Sequence, residues 1–68
     1  MTKNERKAIY KTLQLVANDL AKEADHIHND PIFITCDYLQ GKYTATLNAI
    51  MTVYDKQLEL LEMEVEND

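Results

Sequence analysis

His28-Asn29-Asp30-Pro31 is the stretch that decides the fold, because it separates two long segments whose apolar residues both follow helical spacing. Proline cannot donate a backbone hydrogen bond to a preceding helical turn, and it disfavours helix in the residue before it. It does suit the first helical position after an Asp30 cap. The sequence therefore predicts two helices joined by a turn at about residues 28–31.

The segment before this break has the pattern of one long helix, predicted at about residues 3–27. Thr2 and Glu5 have the spacing of a capping box, in which each residue's side chain accepts from the other's backbone N–H. The apolar residues that follow step by four, three, four and seven, which is typical of a helix with a coiled-coil-like stripe. They are Ile9, Leu13, Val16, Leu20 and Ile27, with Ala17 and Ala24 widening the stripe.

The segment after the break predicts a second helix, followed by an acidic C-terminal tip. Residues 32–36 leave two interpretations open. They form a short extended segment, with Thr35 or Asp37 capping the helix, or they are its first turns, with Phe33 and Ile34 closing the hairpin. The second interpretation is favoured and places the helix at about residues 32–65. Its expected apolar stripe is Leu39, Tyr43, Leu47, Ile50, Tyr54, Leu58, Leu61 and Val65.

The second helix has more apolar surface than a two-helix hairpin can bury. Met51, Val53, Leu60 and Met63 lie beside or opposite the expected stripe. A single core at this size seldom contributes more than about 3–5 kcal/mol, and the lone Cys36 excludes an intramolecular disulfide. The prediction is therefore a single all-α domain over residues 1–68, an antiparallel two-helix hairpin that dimerises into a four-helix bundle.

Small residues on the two helices suggest close packing between them. Gly41, Ala45 and Ala49 repeat every four residues, and a mid-helix glycine costs about 1 kcal/mol relative to alanine. Antiparallel pairing would set Gly41 and Ala45 opposite Ala21 and Ala17. Close approach of the helices is the expected reason for the glycine, and a kink or hinge at Gly41 is the alternative.

Charge is distributed unevenly along a chain whose net charge is −5. An acidic chain argues against a dedicated nucleic-acid-binding protein, because attraction to phosphates dominates that affinity. Antiparallel helices would bring the basic start beside the acidic end and so favour this topology, although exposed pairs contribute only about 0–1 kcal/mol each. The residues concerned are Lys3, Arg6, Lys7 and Lys11 at the start, and Glu59, Glu62, Glu64 and Glu66 at the end.

Metal-type side chains cluster around the break, but their spacing does not indicate a site. His26 and His28 would point about 200° apart on a helix and could not chelate together. Histidines at a helix C-terminus instead bond free carbonyls and complement the dipole. Cys36 has no orienting group or oxyanion donor and is expected to be a small buried hydrophobe. We therefore expect no catalytic residue, no metal and no cofactor.

Two groups of side chains are candidates for contact with a protein partner. Glu59, Glu62 and Glu66 step by three and four and are predicted to form an acidic ridge on one helical face. Such a ridge is either a solvated face or an imitation of a nucleic-acid backbone that docks on a basic nucleic-acid-binding protein. Tyr10 and Tyr38 are the second group. Tyr43 and Tyr54, in contrast, are expected in the core.

Residues Tyr38-Leu39-Gln40-Gly41-Lys42-Tyr43-Thr44-Ala45-Thr46-Leu47 resemble a pattern found in short helical proteins of bacteriophages and prophages. The resemblance implies a small accessory protein of a mobile genetic element, without any activity or site residue. The apolar runs are far shorter than the roughly 20 residues that span a bilayer, and no signal-peptide pattern is present. We expect a cytoplasmic, non-enzymatic homodimer that acts as an accessory or inhibitor protein. The alternative is a nucleic-acid-associated regulator that uses the basic helix start.

Overall fold

The computed structural model describes residues 1–66 and shows two antiparallel α-helices joined by a short 3-10 turn. Helix α1 spans Lys3–His28, the 3-10 turn spans Phe33–Thr35, and helix α2 spans Asp37–Glu62. The predicted all-α hairpin is confirmed. Its Cα atoms extend over 53 × 15 × 9 Å, so the pair is a long slab with two broad faces. Within residues 1–66, neither helix has the length and apolar character needed to cross a bilayer.

Helix α1 begins at the capping box that the sequence predicts. The Glu5 backbone N–H donates to Thr2 Oγ1 at 3.1 Å, and the Thr2 backbone N–H donates to Glu5 Oε1 at 3.0 Å. The bond from the Thr2 backbone is the main reason that the pKa of the Glu5 carboxyl lies below its ordinary value. This local pattern fixes where the helix starts.

The turn after α1 is organised by Asp30. Its Oδ1 accepts from the Ile32 backbone N–H at 3.0 Å, and its carbonyl accepts from the Phe33 backbone N–H, also at 3.0 Å. A short side chain that bonds the backbone two residues on is typical of turns. Asp30 therefore holds the turn that leads into the 3-10 segment, whereas the sequence predicted that it would cap an α-helix.

Helix α2 begins later than predicted, at Asp37 and not at residue 32. Cys36 before it is extended, with φ −114° and ψ 101°. The Gln40 side chain reaches back from α2 and donates to the carbonyls of Phe33 and Ile34 at 2.9 and 2.8 Å. Both interpretations of residues 32–36 were wrong, because the two bonds from the Gln40 side chain stabilise a 3-10 turn there.

Helix α2 also ends earlier than predicted, at Glu62 and not at residue 65. Met63 is extended, with φ −71° and ψ 141°, and the chain then passes over the N-terminus. The Glu66 backbone N–H donates to the Met1 carbonyl at 2.9 Å, and the Met1 amine lies 3.8 Å from Glu66 Oε1. We call this end of the slab the open end and the turn the closed end.

The core lies between the helices. Residues enclosed on α1 repeat every three or four positions, which agrees with part of the predicted stripe. Ile9 and Val16 do not belong to it, because each is 43% exposed. The α1 core residues are Tyr10, Leu13, Ala17, Leu20, Ala24 and Ile27.

The face of α2 that packs on α1 differs from the predicted stripe after Tyr43. We call it the inner stripe: Leu39, Tyr43, Thr46, Ile50, Val53, Gln57 and Leu60. Its members step by four and three throughout, and two of them are polar. Thr46 and Gln57 are 8% and 4% exposed. The prediction followed the apolar residues instead and, except at Ile50, moved to the neighbouring face from Leu47 onward.

The two polar residues are tolerated in the inner stripe because their side chains form hydrogen bonds. Thr46 Oγ1 donates to the Lys42 carbonyl at 2.8 Å. Gln57 Nε2 donates to the Tyr10 carbonyl at 3.3 Å and to Gln14 Oε1 at 3.1 Å. In residues 1–66, no buried side-chain nitrogen or oxygen lacks a partner. Burial of polar groups is expensive when they are unpaired and modest when they are satisfied.

Candidate interaction surface

A second apolar stripe on α2 faces outward. We call it the outer stripe: Leu47, Met51, Tyr54, Leu58 and Leu61. These residues step by four, three, four and three, so they repeat the spacing of the inner stripe on the adjacent face. Their exposures are 38%, 63%, 46%, 59% and 52%, in that order. The hairpin itself leaves this surface uncovered, and none of the five side chains carries a charge.

The sequence prediction placed every member of the outer stripe except Met51 in the stripe that packs on α1, and that assignment was wrong. Tyr54 is the clearest case, since it is 46% exposed where burial was expected. Tyr43, in contrast, is half-buried and packs at the closed end, with its ring 5.4 Å from both Phe33 and His28. The signal that could have separated the stripes is the unbroken four-three spacing of the inner stripe, once Thr46 and Gln57 are counted as members.

The outer stripe runs into a basic hollow at the open end. The hollow is open to solvent and has a volume of about 470 Å³. Leu61 of the outer stripe forms one wall, and the start of α1 forms the rest. Its lining residues are Lys3, Arg6, Lys7, Tyr10, Lys11 and Leu61.

The predicted ion pairs between the basic start and the acidic end do not form within residues 1–66. The ion pairs there join the Met1 amine to Glu66 and Lys56 to Glu59. Arg6 instead donates through Nη1 to the Met63 carbonyl at 3.3 Å. For Glu64 and Glu66 the physical reason is that α2 stops at Glu62, so both lie beyond the helix where the chain passes the N-terminus.

The predicted acidic ridge is shortened for the same reason. Glu59 and Glu62 are exposed on α2, and Glu59 Oε2 lies 3.4 Å from Lys56 Nζ. Glu66 is beyond the helix and contacts the Met1 amine. The described chain therefore places two of the three carboxylates on one helix.

The two tyrosines predicted to face a partner lie in different environments. Tyr38 is 75% exposed near the closed end, where Ile34 and Ile32 are also exposed, at 85% and 56%. Tyr10 is half-buried, lines the basic hollow, and accepts from Gln57 through its carbonyl. Phe33 does contact the closed end as expected, but Ile34 points to solvent and does not plug it.

The expected close packing at small residues is not present at Gly41. A Cβ built on Gly41 would meet nothing within 4 Å, and Ala21 and Ala45 are exposed. Ala17 is buried between the helices, and Ala49 is half-buried beside the inner stripe. Within the hairpin, close helix approach does not account for the glycine.

The two broad faces of the slab differ in charge. On each helix, the residue directly after an inward-facing residue points to one of the two broad faces. Because the helices are antiparallel, it is the same broad face for α1 and for α2. The outer stripe therefore lies on the face of Lys7 and Gln14, in agreement with the shared hollow. The opposite face carries Ile9, Val16 and Ala49, but charged residues interrupt it. Those residues are Glu23, Lys42 and Lys56.

The side chains that suggested metal or thiol chemistry have structural surroundings. The His28 ring packs 4.9 Å from that of Phe33, while Cys36 is half-buried at the N-cap of α2 and His26 is exposed. Among residues 1–66, no three His, Cys, Asp or Glu side chains are placed to hold a metal ion.

In comparisons with protein-family models, with curated proteins and with solved structures, nothing matches this chain.

Proposed function

We propose that this chain is a non-enzymatic protein-interaction module that works as a helical homodimer. The outer stripe is the observation that carries the proposal. Five large uncharged side chains, each between 38% and 63% exposed, form one continuous surface on α2. Contiguous exposed apolar surface larger than a few hundred Å² is rare on soluble monomers, and the largest apolar patch of a protein often marks an interaction site. A second copy covering it would complete a four-helix bundle.

The small core of the hairpin also favours self-association. Four apolar residues in the described part of the chain are buried: Ala17, Ala24, Ile27 and Leu60. Two of them are alanines, which bury little surface. A chain of this size with so few enclosed side chains gains stability from a partner that binds the folded state.

The oligomeric state tests this proposal. We expect light scattering after size exclusion to give twice the chain mass of 7.9 kDa at high concentration, with dissociation on dilution. Leu58→Glu places a charge in the outer stripe and should give a single-chain mass. Leu15→Glu is the matched control, because Leu15 is 64% exposed on α1 outside the stripe, and it should remain dimeric. A single-chain mass for the unmodified protein at every concentration would contradict the proposal.

The proposed partner of the dimer is a protein, and the concrete role is a cytoplasmic accessory or inhibitor protein of a phage or prophage. Glu59 and Glu62 remain exposed on α2 and could meet a basic groove of a nucleic-acid-binding protein. Binding to such a partner should weaken steeply with salt and with charge reversal at Glu59, Glu62 and Glu66. Binding that is insensitive to both would contradict this role.

The basic hollow supports a second candidate, a nucleic-acid-associated regulator. Four cations and the Tyr10 ring line it, a combination that suits phosphates and stacked bases. The chain's net charge of −5 opposes binding of a long polyanion, so the expected affinity is low. A gel shift at low salt that is lost on replacing Lys3, Arg6, Lys7 and Lys11 by glutamine would favour this role. Absence of any shift at low salt would exclude it.

A further inference from the structure

On the basis of the proposed homodimer, we infer how its two copies meet. The outer stripe of one copy packs against the outer stripe of the other, with the two α2 helices antiparallel and the two-fold axis at Tyr54. The occupant of this surface is therefore a second copy of the chain, bound through the same residues. Three properties of the surface support this arrangement: its spacing, its charge and its area.

The spacing of the outer stripe is self-complementary about Tyr54. Leu47 and Leu61 each lie seven residues from Tyr54, and Met51 and Leu58 lie three before and four after it. A two-fold axis at Tyr54 sets Leu47 against the partner subunit's Leu61 and Met51 beside the partner subunit's Leu58. A two-fold interface needs this property, because the same patch serves both subunits. Alternating steps of three and four also suit interlocking side chains between helices.

Charge favours the antiparallel arrangement over a parallel one. A two-fold axis along the slab would set each outer stripe on α1 of the other copy. There it would bury polar residues such as Gln14 and Asn18 and bring both basic hollows to one end. The antiparallel arrangement sets α2 on α2 and α1 on α1, so the outer stripes cover each other and the polar residues of α1 face polar residues. It also sets the two Leu61 residues, and with them the hollows, about 20 Å apart along the helix, beyond the roughly 10 Å screening length at 0.1 M salt.

The area of the face matches what a stable interface needs. The broad face measures 53 by 15 Å between Cα atoms, or about 800 Å². Specific interfaces of standard size bury about 800 Å² on each partner, with an apolar centre and a polar rim. On this face the outer stripe runs along α2, while Lys7 and Lys11 lie on α1 near the open end. The opposite broad face offers the same area but is interrupted by Glu23, Lys42 and Lys56.

Thiol cross-linking tests the arrangement directly. Cys36→Ser removes the native thiol and leaves a residue suited to the N-cap. In that background, Tyr54→Cys places one thiol of each copy at the two-fold axis, and Leu15→Cys is the control on α1. With a short bis-maleimide, we expect Tyr54→Cys to form covalent dimer at least about tenfold faster than Leu15→Cys, because thiols held together have effective concentrations in the millimolar range.

A second pair of variants keeps Tyr54 and tests direction. Leu47→Cys and Leu61→Cys chains, made separately and mixed, should cross-link to each other faster than either does to itself. Faster self-linking of each would show a parallel contact and overturn the inference. Faster cross-linking at Leu15→Cys than at Tyr54→Cys would also overturn the inference. In both cases, a two-chain mass for the unmodified protein would still support the homodimer. A single-chain mass at all concentrations would overturn both proposals.

Discussion

The inner and outer stripes of α2 share one helix and one spacing, yet the buried inner stripe contains polar residues and the exposed outer stripe contains none with a charge. The buried inner stripe includes Thr46 and Gln57, whereas the exposed outer stripe is uncharged and consists of leucine, methionine and tyrosine. Hydrophobicity alone therefore does not decide which face of α2 meets α1. The comparison separates two tasks: the inner stripe specifies the hairpin, and the outer stripe remains available for a second molecule.

What decides the inner face is the match between α2 and α1. Ala17 and Ala24 are the smallest residues of the α1 core and are 1% and 4% exposed, so the helices approach closely there. Near the open end, Gln14 and the Tyr10 carbonyl supply acceptors for Gln57. A shift of α2 onto its outer stripe would put Leu58 near these acceptors and leave Gln14 without this partner. Small side chains and paired polar groups together select the face.

The largest expected effect compares Leu60 with Leu58, one from each stripe. Leu60→Ala removes a side chain that is 4% exposed and should lower the free energy of unfolding by about 2–4 kcal/mol. Leu58 is 59% exposed, so Leu58→Ala should lower the free energy of unfolding by less than about 1 kcal/mol. Both substitutions are compared in a monomeric background such as Met51→Glu. Urea unfolding followed by circular dichroism measures both. Equal losses would show that the two stripes do not differ in the hairpin.

The next effect concerns Gln57, the polar member of the inner stripe that bonds across the helices. Gln57→Ala leaves a gap, removes the donor to Gln14 Oε1 and should lower the free energy of unfolding by about 1–3 kcal/mol. The double variant Gln14→Leu/Gln57→Leu removes both partners and should be nearly neutral or stabilising. Urea midpoints of Gln14→Leu, Gln57→Leu and the double variant form a thermodynamic cycle. A double variant as unstable as Gln57→Ala would show that the polar pair is required for the fold itself.

A smaller, stabilising effect is expected at Gly41, which lies outside both stripes. Gly41→Ala should raise the free energy of unfolding by about 0.5–1 kcal/mol, because the site is helical and open to solvent. Ala45→Gly, one turn later and also exposed, should lower it by a similar amount. Thermal midpoints of the two variants provide the measurement. Destabilisation by Gly41→Ala would mean that another chain packs against this position.

The smallest effect should come from Glu5, at an exposed helix end far from the stripes. Its folded pKa is lowered, so ionised Glu5 stabilises the fold at neutral pH, and this contribution is lost as pH falls through the folded pKa. Glu5→Gln retains a capping side chain but does not titrate. The difference in thermal midpoint between the two proteins should shrink from neutral to acidic pH. A difference that is constant with pH would contradict this account.

The sequence predicted the parts of this fold that depend on local interactions. The start of α1 was correct because the Thr2 and Glu5 pattern acts within one turn. The start of α2 was missed because Gln40 binds two carbonyls from six and seven residues away, which spacing does not reveal. The candidate surface was missed because Tyr54 and Leu58 have core-like composition. Surplus apolar residues on α2 were anticipated, but Val53 and Leu60 belong to the inner stripe, while Met51 belongs to the outer one.

The aromatic contacts at the closed end have a consequence for the order of folding. His28 and Phe33 meet across five residues of chain, whereas Arg6 and Met63 meet across 57 at the open end. Loop closure costs more entropy as the loop lengthens, so the helices should zip from the turn towards the termini. Amide exchange should be slowest around Tyr43 and fastest around Arg6. The basic hollow then lies where the hairpin opens first, and any molecule bound there would slow that opening.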